Sequence, residues 1–298
     1  MIKIGTRGSK LALWQAHFTQ AQLEKAGFAS TLVIIKTQGD RIQHLSFDKM
    51  EGKGFFTKEI EEALLRKEID VAVHSMKDLP TASPEGLAIT AVSYRENPAD
   101  WMVIRKTSTD PKALFRLKKQ AVVGTSSARR KAQLLHYRPD IQIKDIRGNV
   151  PTRLKKLDEG QFDAIMLAAA GLTRLEIDLS DYELIRFSPK EFVPAPAQGV
   201  LAWQTRKEDK DTRRIFRHLH QTSTSAVTNI ERKVLQLLEG GCQMPVGVYC
   251  EQDQDSNFHI WAAMAESWNA PVKHVRLSQS TSHMLAERVV EALHSKHG

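Results

Sequence analysis

Cysteine is almost missing from this 298-residue chain, which has only Cys242 and Cys250. Two thiols in one region, with no Cys-x-x-Cys pair and no paired His-Cys spacing, exclude a disulfide framework and structural zinc, so no metal site is expected. Long apolar runs are missing too, which excludes a hydropathy-type membrane span. Met1-Ile2-Lys3-Ile4-Gly5 enters a strand at once, without the apolar core of a signal peptide. These absences lead us to expect a cytoplasmic protein with no membrane partner. Phosphate-loop signatures are also lacking. Gly52-Lys53-Gly54 has neither the glycine nor the Ser/Thr spacing of a Walker loop, and no complete dinucleotide fingerprint occurs.

What is present is ordinary in bulk, with 41% hydrophobic and 26% charged residues. The length allows two or three domains. Net charge is +8, from 43 Lys+Arg against 35 Asp+Glu. That balance favours an anionic partner, or it only solvates the surface; the positions of the arginines distinguish the two. The basic residues fall at junctions between elements, not in one stripe, and no nucleic-acid motif accompanies them, so no nucleic-acid partner is expected.

Ile2–Ile4 reads as a strand turning into a helix from Leu11 to Ala26, and Thr31–Lys36 as a second strand. Residues 42–54 lack a period and read as a long functional loop. Thr57 is placed to cap a helix through Lys67, and Asp70–Val73 is a buried strand leading into His74-Ser75-Met76-Lys77-Asp78. After a crossing segment at Arg95–Pro98 the pattern returns. Ala121–Val123 is a strand turning into a helix near Ala128, Thr152 precedes a helix through Asp158, and Phe162–Leu167 is buried strand. Lys3-Ile4-Gly5-Thr6 echoes Val122-Val123-Gly124-Thr125, and Glu68–Val73 echoes Gln161–Met166, as expected of two α/β lobes of similar build. Ser188–Gly199 reads as a second, extended crossing. A helix over Ser225–Glu239, strands near Val246–Cys250, Phe258–Ala263 and Val272–Leu277, and a helix near Ser282–Ser295 form a small α+β domain with an antiparallel sheet.

Helix N-termini that follow strands present free N–H groups to anions. Arg7, Ser9 and Lys10 occupy one such junction; Thr125, Ser126, Ser127, Arg129 and Arg130 occupy the other. Cations in a first turn oppose the macrodipole, a small cost that is offset if an anion sits between them. Arg147, Arg153 and Arg174 also fall at strand ends or helix starts, the ligand edge of open α/β sheets. Asp78 lies at such an edge among cations. It either stabilises a cationic intermediate and moves a proton, or it forms a structural salt bridge. Cys242 sits in Leu238-Glu239-Gly240-Gly241-Cys242-Gln243, past a helix C-terminus that does not lower a thiol pKa. It reads as an attachment point, not a turnover nucleophile. Cys250 reads as a buried small hydrophobe.

Seven ordered motifs then resemble one family along nearly the whole chain. They are Thr6-Arg7-Gly8-Ser9 with Leu11–Ala16, Gly52-Lys53-Gly54, Val73–Asp78, Gly124–Arg130, Arg147-Gly148-Asn149, Ala170-Gly171-Leu172 and Glu239–Gln243. The family is porphobilinogen deaminase (hydroxymethylbilane synthase). The resemblance implies a transferase that condenses four porphobilinogen units with loss of ammonia on a dipyrromethane cofactor, thioether-linked to Cys242, and then releases hydroxymethylbilane. It implies Asp78 as the catalytic group. Arg7, Ser9, Ser75, Lys77, Thr125, Ser126, Ser127, Arg129, Arg130, Arg147, Gly148, Asn149, Arg153, Arg174 and Gln198 would bind cofactor or substrate, and Lys49 and Lys53 would lie on a covering loop. It further implies a monomer with two periplasmic-binding-protein-like α/β lobes (1–95 with 196–216, and 98–190) and a smaller α+β C-terminal domain (218–298) with a three-stranded antiparallel sheet. Trp101, Ala197 and Trp203-Gln204 depart from the family pattern and bear on local packing. The alternative is a non-catalytic, two-lobed binding protein for small polycarboxylate anions, which leaves the Gly-Gly-Cys loop unexplained.

Overall fold

A computed structural model describes residues 1–37, 57–239 and 244–295. Lys49, Lys53, Cys242 and the loop expected over 42–54 lie outside the described residues.

Strand β1 (Ile2–Thr6) feeds helix α1 (Lys10–Lys25), whose first turn is capped by Ser9, its hydroxyl accepting the Ala12 N–H at 3.4 Å. β2 (Ser30–Ile34), α2 (Lys58–Leu65), β3 (Val71–Ser75) and β4 (Leu87–Val92) follow. Thr57 stands at the N-cap of α2 as expected, but its hydroxyl turns to Glu61 Oε2 at 3.3 Å and leaves the backbone uncapped. The next stretch holds β5 (Asp100–Arg105), β6 (Val122–Gly124), α3 (Ala128–Tyr137), β7 (Gln142–Lys144), α4 (Val150–Asp158), β8 (Ala164–Ala168), α5 (Ala169–Arg174) and β9 (Tyr182–Arg186). Helix α4 starts before the expected Thr152. Asn149 Oδ1 accepts both the Thr152 N–H (3.0 Å) and the Thr152 hydroxyl (2.8 Å), so Asn149 is the cap. Pro151 is tolerated in that first turn because its missing N–H has no intrahelical acceptor there. β10 (Leu201–Arg206), α6 (Lys210–Arg217) and α7 (Thr222–Leu237) come next, then β11 (Val246–Gln252), β12 (Phe258–Met264), β13 (Lys273–Gln279) and α8 (Leu285–His294).

Two five-stranded sheets form, in the orders β2-β1-β3-β10-β4 and β7-β6-β8-β5-β9. In each, the first three strands are parallel and the fourth runs against them. β1 and β6 hold equivalent places, as do β3 and β8, so the echoed segments of the sequence are the central strands of equivalent sheets. Both faces of the first sheet are covered. Ile4, Val71 and Val73 pack with Ala16, Leu23, Trp203 and Phe216, while Ala72 and Ile69 pack with Ile60, Ala63 and Leu64. Double coverage explains the continuous apolar runs Val71-Ala72-Val73 and Ala164–Leu167. Each buried Val, Ile, Met or Leu of these runs contributes about 1.5–3 kcal/mol. The C-terminal strands make a three-stranded antiparallel sheet, β11-β12-β13, with α8 against β13.

The chain divides into two compact units, one from residues 1–37, 57–96 and 198–226, the other from 97–197, 227–239 and 244–295. Among the described residues no helix is long and apolar enough to cross a membrane.

Candidate functional site

In the first unit, the C-terminal ends of β1 and β3 lie side by side because the two strands pair in parallel. Past β1, Arg7 is half-buried and Ser9 caps α1. Past β3 the chain makes one 3-10 turn, Met76–Asp78, which exposes the Asp78 carboxylate. Ser75 accepts the Gln15 Nε2 hydrogen at 2.8 Å, and Lys77 Nζ donates to Gln198 Oε1 at 3.2 Å. Lys77 and Gln198, more than a hundred residues apart in sequence, are thus brought together at this edge.

Beneath this turn runs a buried polar chain. Gln204 Nε2 donates to Glu61 Oε1 at 2.9 Å, which turns its amide oxygen toward His74 Nε2 at 3.2 Å. That arrangement makes Nε2 the protonated nitrogen of a neutral ring. Burial, with the Arg7 charge adding to it and the Gln204 hydrogen bond opposing it, lowers the His74 pKa to about 4.

The second unit holds most of the candidate residues. Asp100, fully buried at the start of β5, faces the first turn of α3. Arg129 Nη1 reaches Asp100 Oδ2 at 2.7 Å, and Arg130 Nη2 reaches Asp100 Oδ1 at 2.7 Å. Arg129 also donates to the Val193 carbonyl, and Arg130 to that of Met166. Burial alone would push the Asp100 carboxyl up. The charges of Arg129 and Arg130, with hydrogen bonds from both, overcome this and hold it well below the usual carboxylate range. The anion expected between these two arginines is therefore supplied by the protein itself. Sequence reasoning missed Asp100 as their partner. A cation pair in a helix first turn signals that an anion is needed, but not which one.

The hydroxyls of this junction serve the backbone. Thr125 accepts the Ser127 N–H at 3.3 Å, Ser127 caps α3 by accepting the Arg130 N–H at 3.4 Å, and Ser126 exchanges hydrogen bonds with the N–H and carbonyl of Ile146. The Ser126 contact fixes the segment that leads to Arg147. Gly148 then takes φ +115, and a Cβ there would lie 2.7 Å from Thr152 Cγ2, so only glycine fits. Asn149 begins α4 and Arg153 folds back, Nε donating to the Gly148 carbonyl at 2.8 Å. Burial, then the charges of Arg130 and Arg147, lower the Arg153 pKa to about 10. Arg174 is buried and ends α5. Among the described residues Arg129, Arg130, Arg147, Arg153 and Arg174 gather at this edge, a donor set that suits a ligand bearing several carboxylates.

Cys250 is buried, as expected of a small hydrophobe, and its N–H donates to Glu231 Oε1 at 2.7 Å. Glu231 Oε2 accepts the Ala197 N–H at 2.6 Å, where Ala197 holds φ +59.

A family model described as "Porphobilinogen deaminase, dipyromethane cofactor binding domain" matches residues 2–214, and one described as "Porphobilinogen deaminase, C-terminal domain" matches residues 226–267. A porphobilinogen deaminase of Chloroherpeton thalassium is 45% identical over 86% of this chain and 80% of its own length. Another, of Desulforamulus reducens, is 46% identical over 84% of this chain and 80% of its own. One of Chlorobaculum parvum is 48% identical over 83% and 78%. Among solved structures, a periplasmic substrate-binding protein from Coxiella burnetii is 13% identical with a TM-score of 0.45, over 75% of this chain and 94% of its own. With the family's models matched on both sides of residue 220 and named members nearly half identical over more than four-fifths of its length, the chain belongs to the porphobilinogen deaminase family.

Proposed function

We propose that this protein condenses four porphobilinogen units head to tail, with loss of ammonia, and releases hydroxymethylbilane, using Cys242 as the thioether attachment point of a dipyrromethane cofactor. The family supplies the activity and the cofactor class; the attachment atom and the residue roles are our reading. The donor set fits such a group. Every pyrrole ring of cofactor and substrate carries acetate and propionate side chains, and the strand-end edge of the second unit gathers Arg129, Arg130, Arg147, Arg153 and Arg174. Arg153 carries the argument: half-buried, held by the Gly148 carbonyl and near the charges of Arg130 and Arg147, it suits a carboxylate ligand.

The bound group supplies the primer from which the chain of rings extends. The protein's own residues bind and orient the incoming ring. Arg147, Arg153 and Arg174 take its carboxylates, with Arg129 and Arg130 offering the N–H groups that Asp100 leaves over. Arg7, Lys77 and Gln198 do the same at the edge of the first unit, while Ser9, Ser75, Thr125, Ser126, Ser127, Gly148 and Asn149 hold the turns that aim these groups. As the substrate C–N bond breaks and ammonia leaves, positive charge spreads onto the pyrrole nitrogen, and the exposed Asp78 carboxylate stabilises it and carries the proton. We place the protein in the cytoplasm as a monomer, with 218–298 as a third domain carrying Cys242 beside the two α/β lobes.

Porphobilinogen turnover with ammonia release tests this reading. Asp78→Asn is expected to lower kcat about 10²–10⁴-fold, the usual worth of a positioned acid–base group, while the covalent group is retained. Binding of porphobilinogen by the unaltered protein without ammonia release would instead favour the polycarboxylate-binding alternative.

A further inference from the structure

The two arginines of the α3 first turn do not meet a ligand as two free charges. Asp100 lies fully buried between them, 2.7 Å from Arg129 Nη1 and 2.7 Å from Arg130 Nη2, and each guanidinium is fixed again by a backbone carbonyl. The three side chains sum to one positive charge. Arg129 holds Asp100 and the Val193 carbonyl through Nη1, so Nε and Nη2 still offer donors; Arg130 uses Nε, Nη1 and Nη2, but a guanidinium carries five N–H groups. The pair is therefore rich in directed donors and poor in net charge. Arg153 differs: the charges of Arg130 and Arg147 act on it in the same direction as burial.

A site that adds carboxylated rings one after another has to grip each ring and let it move on. Uniform tight binding would lower KM without raising kcat. We propose that Asp100 is a positioning residue for the condensation, cancelling one charge of the Arg129–Arg130 pair so that the lengthening polycarboxylate is oriented by donors without being held too tightly to advance. This rests on the reading that Arg129 and Arg130 contact the ligand.

The test uses the holo-protein. Asp100→Asn is expected to lower the KM for porphobilinogen and to lower kcat, each about tenfold, the scale of one unit charge at a protein edge. It should tighten binding of the unreactive probe tricarballylate by a similar factor in calorimetry, with a steeper salt dependence. Asp100→Glu restores both. A purely structural role would instead raise KM and leave the probe bound more weakly, and that result overturns the proposal. Should Asp100→Asn not fold, the comparison moves to an Arg129→Gln background, where only one buried guanidinium remains. There, adding Asp100→Asn should tighten tricarballylate about tenfold relative to Arg129→Gln alone, and no tightening rejects the role of Asp100. If Arg129→Gln by itself leaves probe affinity and KM unchanged, it is the reading of the arginine pair as ligand contacts that fails.

Discussion

Burial and the neighbouring charges of Arg130 and Arg147 lower the Arg153 pKa to about 10, below its unfolded value. The sign follows: the charged form favours the unfolded chain, so this group costs stability at neutral pH, and the cost fades only as pH rises through about 10. Arg153→Gln should therefore raise the Tm of the substrate-free protein by about 2–4 °C and raise the KM for porphobilinogen about tenfold. Thermal melts alongside steady-state kinetics check both, and a lower Tm with unchanged KM would make Arg153 structural. His74 works in the acid range. Neutral in the fold with a pKa lowered to about 4, it leaves the unfolded chain to take up a proton first as pH falls below about 6.5, so stability is lost between about 6.5 and 4. Denaturant titrations at pH 7 and 4.5 should show His74→Gln losing about 2 kcal/mol less than the parent over that interval.

At the scale of elements, the start of α4 aims Arg153, and Gly148 permits it. Gly148→Ala places a Cβ 2.7 Å from Thr152 at φ +115, so it should cost more than about 1 kcal/mol and raise KM, read by denaturation and kinetics. An unchanged KM would mean that the α4 start does not position a ligand contact. The central strands were legible in the sequence because both-face burial leaves the apolar runs of β3 and β8, and their echoes point to equivalent sheets. β10 was not legible. Its residues are all buried, yet Gln204, Thr205 and Arg206 are polar, satisfied by long-range bonds such as Arg206 to the carbonyls of Leu64 and Ile69. Hydropathy alone cannot reveal such a strand. Asp100 was hidden for the same reason, since its partners sit about thirty residues away. The Asn149 cap was displaced in the reading by Thr152, a residue that can also cap but here is itself held by Asn149.

Across the whole molecule, one sheet order used twice places strand-to-helix junctions at the C-terminal edges of equivalent strands in both units. That repetition explains why the arginines of a chain with net charge +8 gather at junctions. On our account these arginines hold a polycarboxylate that is anchored at Cys242. Intact-protein mass spectrometry tests that claim most directly. The purified protein should weigh more than its sequence by two linked pyrrole units and gain one-ring increments on adding porphobilinogen, and Cys242→Ser should carry no increment. An active protein at its bare sequence mass, or an adduct that survives in Cys242→Ser, would contradict it.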